Sequence, residues 1–456
     1  MSMDLILFKT KLFDAAKAAG FSDWELYYSK SDDFNVEIFK GEIFGYQNSA
    51  TAGVSFRGTF NGKIGYSYSE KIEEDVIDFL VGQAKQNAEV LEEETVEELF
   101  AGAESYPEVQ TFNPELESVS PAEKIDAAVQ LEKLAYAVDP RIKSVVDCVI
   151  NTGGGETAIY NSLGLSLSAK SNFALAFVGL NSEENGKTKI GYGIWAGDNW
   201  KNLDVSKVAG EAARQALAKL NSESIVSGDY PVIFENTAFI SLLGAFLPVF
   251  FAENVQKGFS LLEGKLGTGI ASSALTLRDD PLLPGLLGSA PFDSEGVPTR
   301  NKAVVENGIL KTFLHNLKTA AKDGVAPTGN GFKPSFRAPV MITGTNFYAS
   351  PSETPRSGLL AQMGEGLMLT ELEGLHSGAN IISGDFSLLS SGFVVENGKI
   401  ARPVEQITVA GNFYDLLKDI VAVASDFRYS FPSSAGYIGS PSVFVKSLAC
   451  SGEKAE

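Results

Sequence analysis

The sequence predicts an α+β protein, with an N-terminal domain of antiparallel sheet plus helices over residues 1–222 and a C-terminal β-rich domain over residues 223–456. Three observations predict it. Short segments of apolar–polar alternation recur through the chain, joined by turn residues. Asn-Gly pairs at Asn61-Gly62, Asn307-Gly308 and Asn397-Gly398 mark tight hairpins in both parts. Helical periodicity is concentrated before Gly228 and Pro231, which mark the boundary.

Taken in order, Leu5, Phe8, Leu12 and Ala16 fall on one side of a first helix. Alternation then predicts strands over Trp24–Ser29, Phe34–Phe39, Gly41–Tyr46, Ala50–Phe56 and Lys63–Tyr68, and Lys71–Ala88 reads as an amphipathic helix. An acidic run (Glu92, Glu93, Glu94, Glu97, Glu98) with Pro107 and Pro114 behind it reads as a solvated surface connection. Ser120-Pro121-Ala122-Glu123 is a capping signature for a helix to about Val138. Ile142–Asn151 is a strand, Gly153-Gly154-Gly155 a turn, and the meander resumes over Glu156–Tyr160, Leu165–Ala169, Phe173–Leu180 and Lys187–Trp195. A helix over Leu203–Leu220 closes this part, so the stretches on either side of the acidic connection look like two similar halves. Ala238–Ala252 is the longest apolar stretch; its 15 residues fall short of the about 20 a membrane span needs, so it is expected as a buried helix. Beyond about residue 290 strands dominate, and Asp415–Val423 is the one late helix expected.

Composition narrows the function. With 37 basic and 57 acidic residues the net charge is −20, which repels phosphate backbones and disfavours nucleic-acid binding. The two cysteines, Cys148 and Cys450, make no disulfide framework, and Met1–Lys11 has neither the basic start nor the long apolar run of a signal peptide, so a reducing, cytoplasmic setting is expected. Gly153-Gly154-Gly155 lacks the strand–G-x-G-x-x-G–helix context of a nucleotide loop, and no G-x-x-x-x-G-K-[ST] occurs. Only two histidines are present, His315 and His376, with no helical pair of zinc ligands. No G-x-S-x-G nucleophile elbow occurs, and Cys148 reads as a strand residue that packs as a small hydrophobe. Three carboxylate clusters, Asp279-Asp280-Pro281, Asp293-Ser294-Glu295-Gly296 and Gly384-Asp385-Phe386-Ser387, sit beside Gly or Pro and read first as turn caps.

A longer ordered pattern carries a family resemblance. Ser289-Ala290-Pro291-Phe292-Asp293-Ser294-Glu295-Gly296-Val297-Pro298-Thr299, then Val305–Leu310, Ser383–Ser387, Gly392–Ile400, Pro403-Val404 and Ile407–Asn412 together resemble the TldD/PmbA family. The resemblance implies one of two branches. The TldD-like branch is a zinc peptidase with H-E-x-x-x-H on a helix and a late Cys ligand; the TldE (PmbA) branch lacks these and pairs with it. Here the helix region, Ala238–Phe246, holds no His and no Glu, and no Cys lies around Ala424-Ser425-Asp426. The resemblance therefore implies a TldE-like, non-catalytic subunit with no metal or catalytic residue of its own, the zinc being expected in a TldD-like partner. The expected assembly is a heterodimer whose channel admits unfolded peptides, or a homodimer when the chain is alone. Candidate substrate or partner contacts are His376, in the turn Gly374–Gly378, and Gly384, Asp385, Phe386 and Ser387. Backbone addition to an exposed strand suits a sequence-tolerant peptide site. A stand-alone peptidase using His315, His376 and carboxylates, a homodimeric peptide-binding protein and a DNA-linked regulator are the competing readings.

Overall fold

A computed structural model of the chain describes residues 3–91, 98–431 and 436–453. Glu92, Glu93, Glu94 and Glu97 of the acidic run lie outside them. The N-terminal part runs α1 (Leu5–Ala18), β1 (Asp23–Phe39), β2 (Glu42–Phe60), β3 (Lys63–Ser69), α2 (Ile77–Glu89), α3 (Pro114–Glu117), α4 (Pro121–Ala137), β4 (Ile142–Asn161), β5 (Ser166–Glu184), β6 (Lys187–Gly197) and α5 (Val205–Ala218). Its starts follow the capping chemistry of the sequence. Asp4 accepts from the amides of Ile6 and Leu7, and Ser120 and Glu123 form a reciprocal capping box. Asn61 and Gly62, both at positive φ, close the β2–β3 hairpin.

The strands form one antiparallel sheet in the order β3-β2-β1-β4-β5-β6. The unit α1-β1-β2-β3-α2 thus repeats as α4-β4-β5-β6-α5, with the pseudo-two-fold between β1 and β4; the two similar halves seen in the sequence are real. Strands that alternation split in two are continuous here. The triplet Gly153-Gly154-Gly155 is no turn: it lies inside β4, opposite Asp33, Asp32 and Ser31. The glycines serve close passage, since a Cβ on Gly153 would meet the Phe173 ring at 2.6 Å. Leu26, Phe34, Val36 and Ile38 point to one face of β1, beneath the helices. Glu25, Tyr27 and Asn35 point to the other, toward the C-terminal domain.

That domain contains β7 (Gly228–Phe234), α6 (Asn236–Phe246), α7 (Ala252–Gln256), β8 (Leu277–Asp279), β9 (Lys302–Glu306), β10 (Ile309–Leu310), α8 (Leu317–Asp323), β11 (Gly331–Phe332), β12 (Met341–Ile342) and β13 (Asn346–Ala349). It continues with α9 (Arg356–Met363), β14 (Gly366–Glu373), α10 (Leu375–Gly378), β15 (Asp385–Glu396), β16 (Lys399–Asn412), α11 (Phe413–Lys418), β17 (Ile420–Val423), β18 (Arg428–Tyr429), β19 (Tyr437–Ser440) and β20 (Val443–Ser451). One sheet runs β16-β15-β14-β7-β20-β17, and an extra β16–β20 pairing closes five of its strands into a ring. A second runs β10-β9-β8-β13-β19-β18. The architecture is therefore α+β with a β-rich C-terminal part, as expected.

Two expectations are corrected. The apolar stretch is not one helix: α6 ends at Phe246, a 3-10 turn spans Leu247–Phe250, and α7 begins at Ala252. Pro248 offers no N–H and its ring blocks the preceding turn. The late helix stops at Lys418 because Ile420, Ala422 and Val423 pair with β20 as β17; α8, α9 and α10 also interrupt the strands. No helix among the described residues is long and apolar enough to cross a membrane.

Candidate functional site

Helix α6 is where the two domains meet across a cleft. Most of it is core: Ala238, Phe239, Leu242, Leu243 and Phe246 have no exposed surface. Thr237, Ile240 and Ser241, spaced to share a helix face, line a cleft of about 350 Å³ instead. Tyr192 and Ile194 of β6 and Arg214 and Lys219 at α5 face them, with Thr370, Glu371 and Phe393 beside them. Phe177 and Phe431 also border a second cavity of about 800 Å³ between the open face of the N-terminal sheet and residues 286–289. The two make one trough. Its larger end carries no charge; its walls are Val149, Phe173, Leu175 and Leu287, with the carboxamides of Asn35 and Asn151. Charge is confined to the α6 end, where it is paired across the domain boundary. Lys219 binds Glu371, and Arg428 reaches Glu211 at 3.1 Å. Burial raises the Glu211 carboxyl, but Gln215, Arg214 and Arg428 outweigh it and the net shift is downward, so the group stays ionised.

At the N-terminus of α6, Asn236 Nδ2 donates to the carbonyl of Asp426 at 2.8 Å. The two segments that the resemblance left without ligands, the start of α6 and residues 424–426, are thus neighbours in space. Arg356, at the start of α9, stands between them: it binds Glu235 and lies 3.8 Å from Asp426 Oδ2. Asp426 is further held by the amide and hydroxyl of Ser442. On the cleft side, Ser241 donates to the Thr237 carbonyl and Thr237 to Asn236 Oδ1.

Family models match three consecutive parts of the chain: PmbA/TldA metallopeptidase domain 1 over residues 24–88, the central domain over 114–220 and the C-terminal domain over 227–452. Metalloprotease PmbA of Escherichia coli O157:H7 is 32% identical over 324 residues, covering 71% of this chain and 69% of that one. A crystal structure from Thermotoga maritima, described as a modulator of a DNA gyrase, matches with a TM-score of 0.90 at 35% identity over 98% of this chain and all of its own. The chain belongs to the PmbA/TldD metallopeptidase family. TldE from Thermococcus kodakarensis shares the fold, with a TM-score of 0.89 at 23% identity over 98% of this chain and 100% of that one; the TldE-branch assignment fits these matches.

A metallopeptidase family implies a metal, and the α6 end of the trough does not fit zinc. Zinc sites are built from His, Cys and carboxylate donors in a closed tetrahedral set or with one open position. Here α6 offers Thr, Ile and Ser, and the nearby carboxylates of Glu235 and Asp426 are engaged by Arg356. Among the described residues no group of three or more His, Cys, Asp or Glu side chains is arranged to hold a metal ion. His315 and His376 do not converge on the cleft. His315 is 4% exposed, its backbone bonded to Thr328, and burial lowers its pKa. His376 is exposed in α10.

The other sequence-predicted contacts separate by burial. Asp385 and Ser387 are exposed on β15. Phe386 is 3% exposed and packs on Phe246 at the far end of α6 from the cleft, so it supports the segment from below. Gly384 is buried at φ +84, where a Cβ would meet the Tyr414 ring at 2.5 Å. Asn380, Asn412 and Asp385 knit residues 380–385 together. None of these residues borders the trough. The Asp279 cluster is more than a turn cap: Asp279 is fully buried, paired with Lys302 at 2.7 Å and bonded to Asn330 and Thr345. Burial raises its pKa, but these partners outweigh it and the net shift is downward. Asp293 does cap its turn, accepting from the amides of Glu295, Val297 and Gly331, and burial with Glu295 close by pushes its carboxyl well up. Glu295 reaches into the domain boundary, where Arg57 lies 3.0 Å from Glu25 and 3.9 Å from Glu295. The trough residues Phe177 and Phe431, and Arg356 beside the start of α6, were not singled out in the sequence. The only signal for Arg356 is a lone basic residue after Pro355, and its partners lie 121 and 70 positions away.

Proposed function

We propose that this chain is the non-catalytic, TldE-like subunit of a two-protein metallopeptidase, contributing peptide-binding surface to a TldD-like partner that holds the zinc. The observation that carries the reading is the start of α6, where Arg356 engages Glu235 and the cleft-facing helix residues are Thr237, Ile240 and Ser241 in place of metal donors. The trough supports the substrate class. Its apolar walls and spaced carboxamides suit an extended, unfolded peptide, whose side chains seek burial and whose backbone needs hydrogen-bond partners. The acidic surface agrees with a peptide rather than a nucleic-acid substrate.

Reconstitution tests it. The purified chain is expected to retain no stoichiometric zinc and to leave unstructured peptides intact, and to support their cleavage when mixed with a TldD-like subunit. Stoichiometric zinc bound by the chain alone and lost in a His315→Ala/His376→Ala double variant would sink the reading in favour of a stand-alone peptidase.

A further inference from the structure

The broad end of the trough is a wall without charge, in a chain where 21% of residues are charged. It follows the open face of β5 from Phe173 past Leu175 to Phe177. Four residues of strand advance about 13 Å, so the wall is as long as about four residues of extended peptide. Charged groups begin beyond the stacked rings of Phe177 and Tyr192, 5.8 Å apart, where Arg214, Lys219, Glu235 and Glu371 line the narrower cleft.

Most polar groups of the broad end are already engaged. The Asn172 carboxamide closes a double hydrogen bond with the Asn113 backbone, and Thr111 Oγ1 donates to the Lys170 carbonyl. Ser289 donates to the Leu283 carbonyl and accepts from Asn346. Two carboxamides keep spare capacity. Asn35 and Asn151 are opposite one another on β1 and β4. Asn151 Nδ2 donates to the Phe34 carbonyl at 3.1 Å, which leaves its oxygen free, and the Asn35 side chain has no hydrogen-bond partner among the described residues. What remains is one carbonyl oxygen and one complete amide, the complement of a peptide amide and not of an ion. An ammonium or carboxylate brought here would leave water without meeting a counter-charge. A buried unpaired ion is disfavoured far more strongly than a buried amide that keeps its hydrogen bonds.

We propose that the broad end is a specificity subsite that selects a run of about four uncharged, apolar residues of a peptide. Asn35 and Asn151 hold the main-chain amide of the run, and Phe173, Phe177, Leu287 and Phe431 cover its side chains. The inference rests on the peptide reading of the trough and adds which segment of the peptide this chain takes.

Calorimetry on the purified chain tests it, with blocked tetrapeptides as probes: acetyl-Leu-Phe-Ser-Leu-amide, and the same peptide with Lys or Glu in place of Phe. The neutral peptide is expected to bind at least tenfold more tightly than either charged one. Asn35→Ala/Asn151→Ala is expected to weaken all three by a similar factor, because it removes contacts to the backbone. Leu287→Asp, and Phe431→Asp at a position 52% exposed, each place a carboxylate in the wall. At unchanged circular dichroism each is expected to close the gap between the neutral and the Lys peptide at least tenfold and to give the Glu peptide no gain. A wild type that binds all three equally or none at millimolar peptide, or a ranking that both Asp variants leave unchanged, would overturn the subsite. Mixing with a TldD-like subunit separates this inference from the reading it rests on. Cleavage of unstructured peptides regardless of their apolar runs overturns the subsite and leaves the two-subunit reading standing. The expected binding ranking without any support of cleavage does the reverse.

Discussion

At Lys333 the ammonium group sits between the rings of Tyr27 and Tyr66 and donates to Ser55 Oγ at 3.1 Å, beneath the domain boundary. Burial lowers its pKa from 10.5 to about 8, with Glu25 opposing and Arg57 adding to the fall. A lysine lowered on folding contributes stability that is full above pH 10.5 and lost as pH falls through about 8. Lys333→Met is therefore expected to gain most over wild type below pH 8, by on the order of 3 kcal/mol, and to lose that advantage as pH rises toward 10. Paired denaturant titrations across that range check it; a pH-independent difference would show that the ammonium is hydrated. Burial likewise pushes the thiols of Cys148 and Cys450 up to about 12. Neither is expected to react with a thiol reagent at pH 8 in the native state, and both to react in denaturant. Labelling of native protein followed by peptide mass analysis decides it.

At the scale of elements, the glycines of β4 show why a strand was misread as two strands and a turn. Turn statistics favour Gly-Gly-Gly, but Gly153 packs its bare backbone under Phe173, across from Asp33. Gly153→Val is expected to cost at least about 2 kcal/mol, because the Cβ overlaps the ring and β4 is paired on both sides. Gly154→Val, with nothing nearer than 3.6 Å, should cost less. Comparing the two by thermal melts separates close passage from the general cost of losing a glycine. The same contrast explains α6. Fifteen apolar residues fit a buried helix, yet Pro248 divides them, and the division lets Leu247–Phe250 turn toward β13, where Phe250 packs on Phe347.

Over the whole molecule, the domains are joined by ion pairs that no local pattern announces. Glu25 and Arg57 are opposite one another on β1 and β2, and Glu295 approaches from the C-terminal domain. Arg57→Met would strand buried carboxylates and is expected to cost about 3–5 kcal/mol, whereas Glu405→Gln, which removes the more open Lys189 pair, should cost about 1 kcal/mol or less. Denaturant unfolding of the two variants measures the ranking, and a reversal would show that the boundary is not held at Arg57. The motif Phe292–Gly296, which helped reveal the family, proves to be part of this boundary: Glu295 faces Arg57 and Phe292 packs with Tyr27 and Phe336. Sequence alone determined the α+β class, the hairpin turns, the helix caps, the family and the absence of metal ligands from Ala238–Phe246, because each depends on residue identity or on spacing within about a dozen positions. The tertiary structure alone decided that α6 and residues 424–426 adjoin, that Arg356 stands between them, and that Phe386 is core while Asp385 is exposed. Those facts depend on which distant strands pair and which faces they cover, and no periodicity along the chain encodes that.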